Sequence, residues 1–230
     1  MDKPANTDQP NALVIGSNGT IARALIAQLG ETHRVATLSR KQTDYSEPGL
    51  QAACSELAEL GTFDRIICCV GILQDSEVSP EKNLKQVTAA GLAHYYQVNT
   101  IIPMLCLKYF HPLLNRHNPS VFACLSAMVG SIGDNQLGGW YGYRSSKTAL
   151  NMLIKNTAIE VARSNKNACI IAVHPGTTVS ALSKPFSANV KPEKYYPPEQ
   201  SASRIIAVMN QLGDADSGRF FNWNGEPIPW

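Results

Sequence analysis

The 230-residue sequence carries little charge, and what it has is balanced: 17% of residues are charged and the net formal charge is +2. That leaves no basic face for nucleic acid or for an acidic membrane surface. No apolar run approaches the length that spans a bilayer, and the opening Met1-Asp2-Lys3-Pro4-Ala5-Asn6 lacks the apolar core of a secretory signal. Cytoplasmic residence is the expectation. The cysteines, Cys54, Cys68, Cys69, Cys106, Cys124 and Cys169, form no C-x-x-C and no spacing that suits a disulfide framework or a metal site. They read as small buried hydrophobes in a reducing compartment, with no metal expected. Internal repeats and low-complexity segments are also missing.

What is present is the composition of an ordinary globular domain, 44% hydrophobic, expected to run as one unit over residues 1–230 with a loose tail at 1–10. Ala12-Leu13-Val14-Ile15 is a short apolar run that ends in Gly16-Ser17-Asn18-Gly19-Thr20-Ile21-Ala22. A helical pattern follows, with Ile21, Ala22, Leu25, Ile26 and Leu29 on one face, and Gly30 stops it. Strand, glycine turn, helix is the context that makes a glycine pattern a phosphate-binding candidate. The helix start points free amides at an anion, and the glycines let a pyrophosphate come against the backbone. Ala22 stands where the usual spacing has its last glycine and is the smallest substitute. A second strand, Arg34–Leu38, runs into Ser39-Arg40-Lys41. In a dinucleotide fold this place, somewhat over 20 residues beyond the first glycine, reads the adenosine ribose, and a basic residue suits a 2′-phosphate. Arg40 and Lys41, with no carboxylate before Asp44, predict NADP(H) rather than NAD(H).

The rest of the pattern alternates. Residues 47–60 read as a helix, 64–71 as a buried strand closed by Gly71, and 82–90 as a weak helix. Residues 92–114 read as a helix with Ile101, Leu105 and Phe110 on its apolar side and a kink or a start near Pro103. Val121–Ser126 is a strand, followed by a glycine-rich loop to Trp140 and a helix from about Tyr143. Residues 168–173 form a strand closed by His174-Pro175-Gly176, and a helix at 198–212 and a short strand at 218–223 complete the chain. Strands alternating with helices of this length predict an α/β fold: a doubly wound, mostly parallel sheet with helices on both faces, of the Rossmann type. Residues 177–197 show no periodic element and follow directly on a strand's carboxyl end, where open α/β sheets bind ligands. They are expected to form a substrate lid. Its Leu182, Phe186, Tyr195 and Tyr196 either wall an apolar pocket or pin the loop to the core.

The stretch Tyr141-Gly142-Tyr143-Arg144-Ser145-Ser146-Lys147 places a phenol and an amine four residues apart, one turn above each other on one helix face. In a cleft, the Lys147 ammonium would draw the Tyr143 phenol down from about 10 toward working pH, as acid–base catalysis requires. Taken alone, such a pair is more often an ordinary exposed helical turn. Its meaning depends on the strands and the glycine turn around it.

Together these pieces resemble the short-chain dehydrogenase/reductase family over nearly the whole chain. Gly16 to Ala22 resembles the family's glycine motif in a variant spacing. Cys68-Cys69-Val70-Gly71 stands where the family has Asn-Asn-Ala-Gly, and only Gly71 matches. Asn99 falls on the active-site asparagine, Tyr143 and Lys147 on the catalytic pair, and Pro175-Gly176 with Ser180 on the segment that meets the nicotinamide. Within the family, Leu125 to Asn135, Gly138 to Lys147 and the ending Gly218-Arg219-Phe220-Phe221 with Pro229-Trp230 resemble the C-factor and sniffer-type carbonyl reductases.

The resemblance implies a hydride exchanged between NADP(H) and a small carbonyl or alcohol substrate, with Tyr143 as the proton donor and Asn99 anchoring a water beside Lys147. It also implies a homodimer or homotetramer, through the helices around 92–114 and 143–163. One departure stands out: the family's catalytic serine would be residue 127, which is Ala127. Ser126, expected to point to the other face of its strand, and Ser131 in the loop are the candidate substitutes. The departure also supports a rival expectation, an NADP(H)-binding regulatory or signalling protein with little turnover.

Overall fold

The computed structural model describes residues 9–180, 183–185, 193 and 195–230. Strands β1 (Asn11–Ile15), β2 (Arg34–Leu38), β3 (Arg65–Cys68), β4 (Ser120–Leu125), β5 (Ala168–His174) and β8 (Phe220–Asn222) form one sheet in the order β2-β1-β3-β4-β5-β8. Every pairing in it is parallel. Strand residues alternate between two cores, as a period of two demands. Leu13, Ile15, Ile66, Phe122, Ile170 and Ala172 face one layer, with α2 (Glu47–Ala58), α4 (Ile102–Phe110) and α5 (Tyr141–Val161). Val14, Ile67, Val121, Ala123, Ile171 and Val173 face the other, with α1 (Thr20–Leu29) and α6 (Pro198–Gln211). Because both faces are covered, β4 is buried at every position and reads as a continuous apolar run rather than an alternating one. The strand order reverses between β1 and β3, and the crevice outside their carboxyl ends is where such sheets take ligands.

Three expectations change. Residues 82–90 do not form one weak helix: Asn83 accepts from the Lys85 N–H, a single 3₁₀ turn covers Leu84–Gln86, and Thr88 then caps α3 (Ala89–Tyr96) by accepting from the Gly91 N–H at 3.0 Å. The expected helix at 92–114 is α3, a π-helical turn at Gln97–Ile101, α4, and a final 3₁₀ turn at His111–Leu113. The wider turn shifts the phase of the apolar stripe. Ile101 is therefore 44% exposed and Leu105 half-buried, Cys106 and Leu107 are buried in their stead, and Phe110 is buried as expected. Pro103 sits in the first turn of α4, where a missing N–H costs little.

Residues 177–197 are anchored at both ends, the third change. β6 (Thr177–Thr178) pairs in parallel with β7 (Tyr195–Tyr196) as a separate two-stranded ribbon. The Tyr196 ring lies 5.4 Å from that of Trp223, and the Arg204 guanidinium sits 4.0 and 3.8 Å from their two centroids. Tyr196 thus pins the segment to the core. Leu182, Phe186 and the tail at residues 1–8 lie outside the described residues, whereas the Pro10 carbonyl already accepts from the Arg34 N–H beside β1.

Candidate active site

The turn after β1 is built for an anion. Gly16 has φ +79°, and a Cβ there would lie 3.1 Å from the main chain of Cys69 and Val70. Only glycine fits where the two switch-point strands end side by side. The Gly16 and Ser17 amides donate to the Leu38 carbonyl, which ties the turn to the end of β2. Gly19 precedes α1, which has no side-chain cap and no acidic residue in its first turn. The amides of Thr20, Ile21 and Ala22 are therefore the orphan donors that a helix start offers. Ser17 is half-buried and Asn18 exposed at the same turn, and Arg40 stands exposed immediately after β2. These donors, the glycine cradle and the cation fit a dinucleotide carrying a 2′-phosphate.

Gly71, Asn99 and Lys147 meet on the other side of the crevice, and Tyr143 lies one turn before Lys147 on α5. A Cβ at Gly71 would lie 3.0 Å from Lys147 Nζ and 3.1 Å from Asn99 Oδ1. The π-helical turn directs Asn99 inward and buries it completely. Its Oδ1 accepts from the Ile72 N–H at 2.7 Å, and its Nδ2 donates to the Ile72 carbonyl and the Ser146 hydroxyl. Thr100 Oγ1 donates to the Ser146 carbonyl at 2.7 Å. Asn99 is thus the fastening between the turn after β3 and α5. Lys147 is buried and donates to the Leu125 carbonyl at 2.9 Å. Tyr143 lies between the rings of Tyr95 and Trp140, both edge-on at 6.3 and 6.2 Å, and its hydroxyl has no partner among the described residues.

The expected acidification of Tyr143 is not present in the chain by itself. Burial pushes the phenol up to about 12. Burial also brings the Lys147 ammonium down to about 8, against the opposite pull of the thiols of Cys68, Cys124 and Cys69. Desolvation alone acts on Tyr143, and Lys147 is directed to a main-chain carbonyl.

The two candidate serines are brought close to the site but turned away from it. Ser126 Oγ donates to Asn151 Oδ1 at 2.6 Å, beneath α5, on the face that strand alternation predicts. Ser131 Oγ donates to the Pro229 carbonyl and accepts from the Asp134 N–H. With Ala127 at the family position, no serine hydroxyl of this loop is presented as a free donor. Pro175 and Gly176 follow β5 as expected, Gly176 with φ +79° under the rings of Tyr196 and Trp223. The Ser180 hydroxyl is engaged with that of Ser183 at 3.1 Å. His174, which closes β5, has a buried Nδ1 without a partner, and burial lowers its pKa to about 4.

Sequence reasoning missed Glu81. It lies 60 residues before the helix it touches, in a stretch with no periodicity, and is only 5% exposed. Its main-chain carbonyl accepts from the Trp140 N–H, and its carboxylate accepts from the Gly142 N–H. A buried glutamate in a polar loop leaves no mark in the sequence pattern.

The family model for short chain dehydrogenase matches residues 6–191. The chain belongs to the short-chain dehydrogenase family. Among relatives, 1-hydroxy-2-glutathionyl-2-methyl-3-butene dehydrogenase of Rhodococcus sp. is 29% identical over 187 residues, 80% of this chain and 76% of that protein. C-signal of Myxococcus xanthus is 26% identical over 147 residues, 64% of this chain and 83% of that protein. Among solved structures, the carbonyl reductase Sniffer of D. melanogaster superposes with TM-score 0.81 at 20% identity, covering 96% of this chain and all of that one (100%). NADPH-bound carbonyl reductase from chicken fatty liver gives 0.76 at 20%, covering 96% and 99%. These two establish the shared fold. As a short-chain dehydrogenase the chain is an oxidoreductase by family, similar in sequence to C-signal and in fold to Sniffer. Among the described residues no helix is long and apolar enough to cross a membrane.

Proposed function

We infer that this short-chain dehydrogenase is an NADP(H)-dependent reductase of small ketones or aldehydes, acting reversibly. The observation that carries the reading is the convergence of Gly71, Asn99 and Lys147 on one face of the crevice, with Tyr143 one turn before Lys147 on α5 and its hydroxyl without a partner among the described residues. The exposed Arg40 at the end of β2 and the NADP(H) recorded with neighbours of the same fold support the choice of cofactor. When bound, NADP(H) supplies or takes up the hydride. Tyr143 gives its proton to the carbonyl oxygen in reduction and takes it back in oxidation. A phenol raised to about 12 is a poor acid alone, so Lys147, still protonated at neutral pH with a pKa of about 8, stabilises the phenolate as it forms. Gly16 to Ile21 and Arg40 hold the phosphates, Pro175, Gly176 and Ser180 line the far end, and Asn99 keeps Gly71 against Lys147.

The test is NADPH titration by fluorescence, followed by oxidation of NADPH against a panel of ketones and aldehydes. Tyr143→Phe is expected to lose at least about a thousandfold in turnover while binding NADPH within roughly threefold of wild type. Wild-type turnover in that variant overturns the reading. A second reading, an NADP(H)-binding regulatory protein with little chemistry, is favoured by Ala127 together with the commitment of Ser126 and Ser131 to Asn151 and Pro229. Tight NADPH binding with no carbonyl reduced supports it.

A homodimer or homotetramer is part of the same reading. Ile101, Met152 and Ile159 are 44, 61 and 50% exposed on the segments at 97–101 and 141–161. Residues 228–230 are engaged within the chain, where the Trp230 ring stacks on Phe220 at 5.8 Å and its carbonyl accepts from the Gly133 N–H. Sedimentation of the wild type beside Met152→Glu checks the helical interface.

A further inference from the structure

We propose that Glu81 is a positioning residue for Tyr143, an inference that rests on the reductase reading. The residues just before α5 are in an uncommon state: Gly138, Gly139 and Trp140 have φ of +64°, +66° and +52° in succession. A left-handed tryptophan is strained and persists only where its surroundings hold it. Helix α5 has no side-chain cap of its own and no acidic residue in its first turn. Glu81 supplies both requirements from the loop between β3 and α3. Its carbonyl holds the Trp140 N–H at 2.5 Å, which fixes the left-handed turn. Its carboxylate, at 3.3 and 3.1 Å from the Gly142 nitrogen, caps the start of the helix. The position is filled without slack: a Cβ on Gly142 would lie 2.9 Å from Glu81 Oε1 and 2.3 Å from the Tyr95 ring. Tyr95 is itself fixed by donating to the Leu73 carbonyl at 2.7 Å. Trp140 and Tyr95 are the two rings that flank Tyr143. One buried residue therefore fixes the left-handed turn at Trp140 through its main-chain carbonyl and the start of the helix through its carboxylate, both within three residues of Tyr143.

The experiment compares Glu81→Ala, Glu81→Gln and Glu81→Asp in the full chain, reading kcat, KM, NADPH affinity and amide exchange of residues 139–147. Glu81→Ala is expected to lower kcat by about 10- to 100-fold, as a misplaced acid does, with NADPH affinity within about twofold of wild type. Exchange of the segment speeds up. Glu81→Gln keeps an oxygen that accepts from Gly142 and is expected to restore kcat to within roughly threefold, with slow exchange. Wild-type kcat in Glu81→Ala, or equal loss in Ala and Gln, overturns the proposal. Should Glu81→Ala not fold, Glu81→Asp decides, because its carboxylate stops one methylene short. Asp slower than Gln supports the proposal, and the reverse order overturns it. If the wild type reduces no carbonyl, the reductase reading fails. The exchange comparison still decides whether Glu81 holds the turn, faster exchange in Ala but not in Gln supporting that hold and unchanged exchange in Ala overturning it.

Discussion

The glycine turn after β1 and the loop that leads into α5 both set up a helix start, and they reach it by opposite means. The first is local. Gly16 and Gly19 sit three residues apart, the Gly19 amide closes on the Gly16 carbonyl at 3.1 Å, and α1 begins at once. The second is assembled from a distance: Trp140 and Gly142 are held by Glu81, Lys147 by Leu125, and Ser146 by Asn99 and Thr100. A phosphate needs only backbone amides and room, which a short motif can specify. A proton donor needs an oriented side chain, and orientation comes from packing.

The largest expected effect separates the two regions. Lys147→Met should lose turnover by about a thousandfold or more. Its effect on stability has the opposite sign at neutral pH, because the wild type buries an ammonium whose pKa falls from 10.5 to about 8. Above pH 8 the folded wild type gives up its proton more readily than the unfolded chain, so wild-type stability rises between pH 8 and 10.5. The apo variant's advantage should be greatest below pH 8 and shrink by up to about 3 kcal/mol toward pH 10.5. Tyr143, raised from 10.0 to about 12, adds a term that is present below pH 10 and lost as pH climbs through 12. Denaturant titrations from pH 7 to 10 avoid most of it.

Ala127→Ser tests the chemistry side alone. Restoring the family hydroxyl should raise kcat/KM by about 10- to 100-fold, since one donor to the developing oxyanion is commonly worth 10²–10³. No gain would mean that another donor already serves. Gly16→Ala and Gly142→Ala test the division directly. The first is expected to weaken NADPH binding about tenfold with little change in kcat at saturation, the second to lower kcat about tenfold with NADPH affinity kept. If both act on the same parameter, the two regions are not separate devices. The smallest effect is Ser131→Ala, expected to cost about 1 kcal/mol in denaturant unfolding and to change turnover less than roughly threefold.

The strand and helix alternation, the glycine turn, the place of Arg40 just after β2 and that of Tyr143 and Lys147 on one helix were legible because each depends on near neighbours. The sheet order follows from the same alternation, since crossover connections allow few arrangements. What was not legible depends on contacts far apart in the chain. Ser126 and Ser131 looked equivalent until Asn151 and Pro229 claimed their hydroxyls. The sign of the Tyr143 shift required knowing that the pair is dehydrated. Tyr196 could line a pocket or pin a loop, and only Arg204 and Trp223 decide it. The phase error at Ile101 came from one residue inserted into a helical turn, which a period of 3.6 cannot anticipate.

That inserted residue has a consequence for how the chain could drift. An unbroken α-helix from Ala89 to Phe110 would be the more regular object, and a deletion anywhere in Gln97–Ile101 would produce it. The same deletion would swing every later side chain by about 100° relative to α3, and one side of the change would lose its grip on Ile72 or Ser146. Smoothing the helix and keeping the asparagine in place are incompatible edits. A shortened homologue at this point should therefore be sturdier and inert.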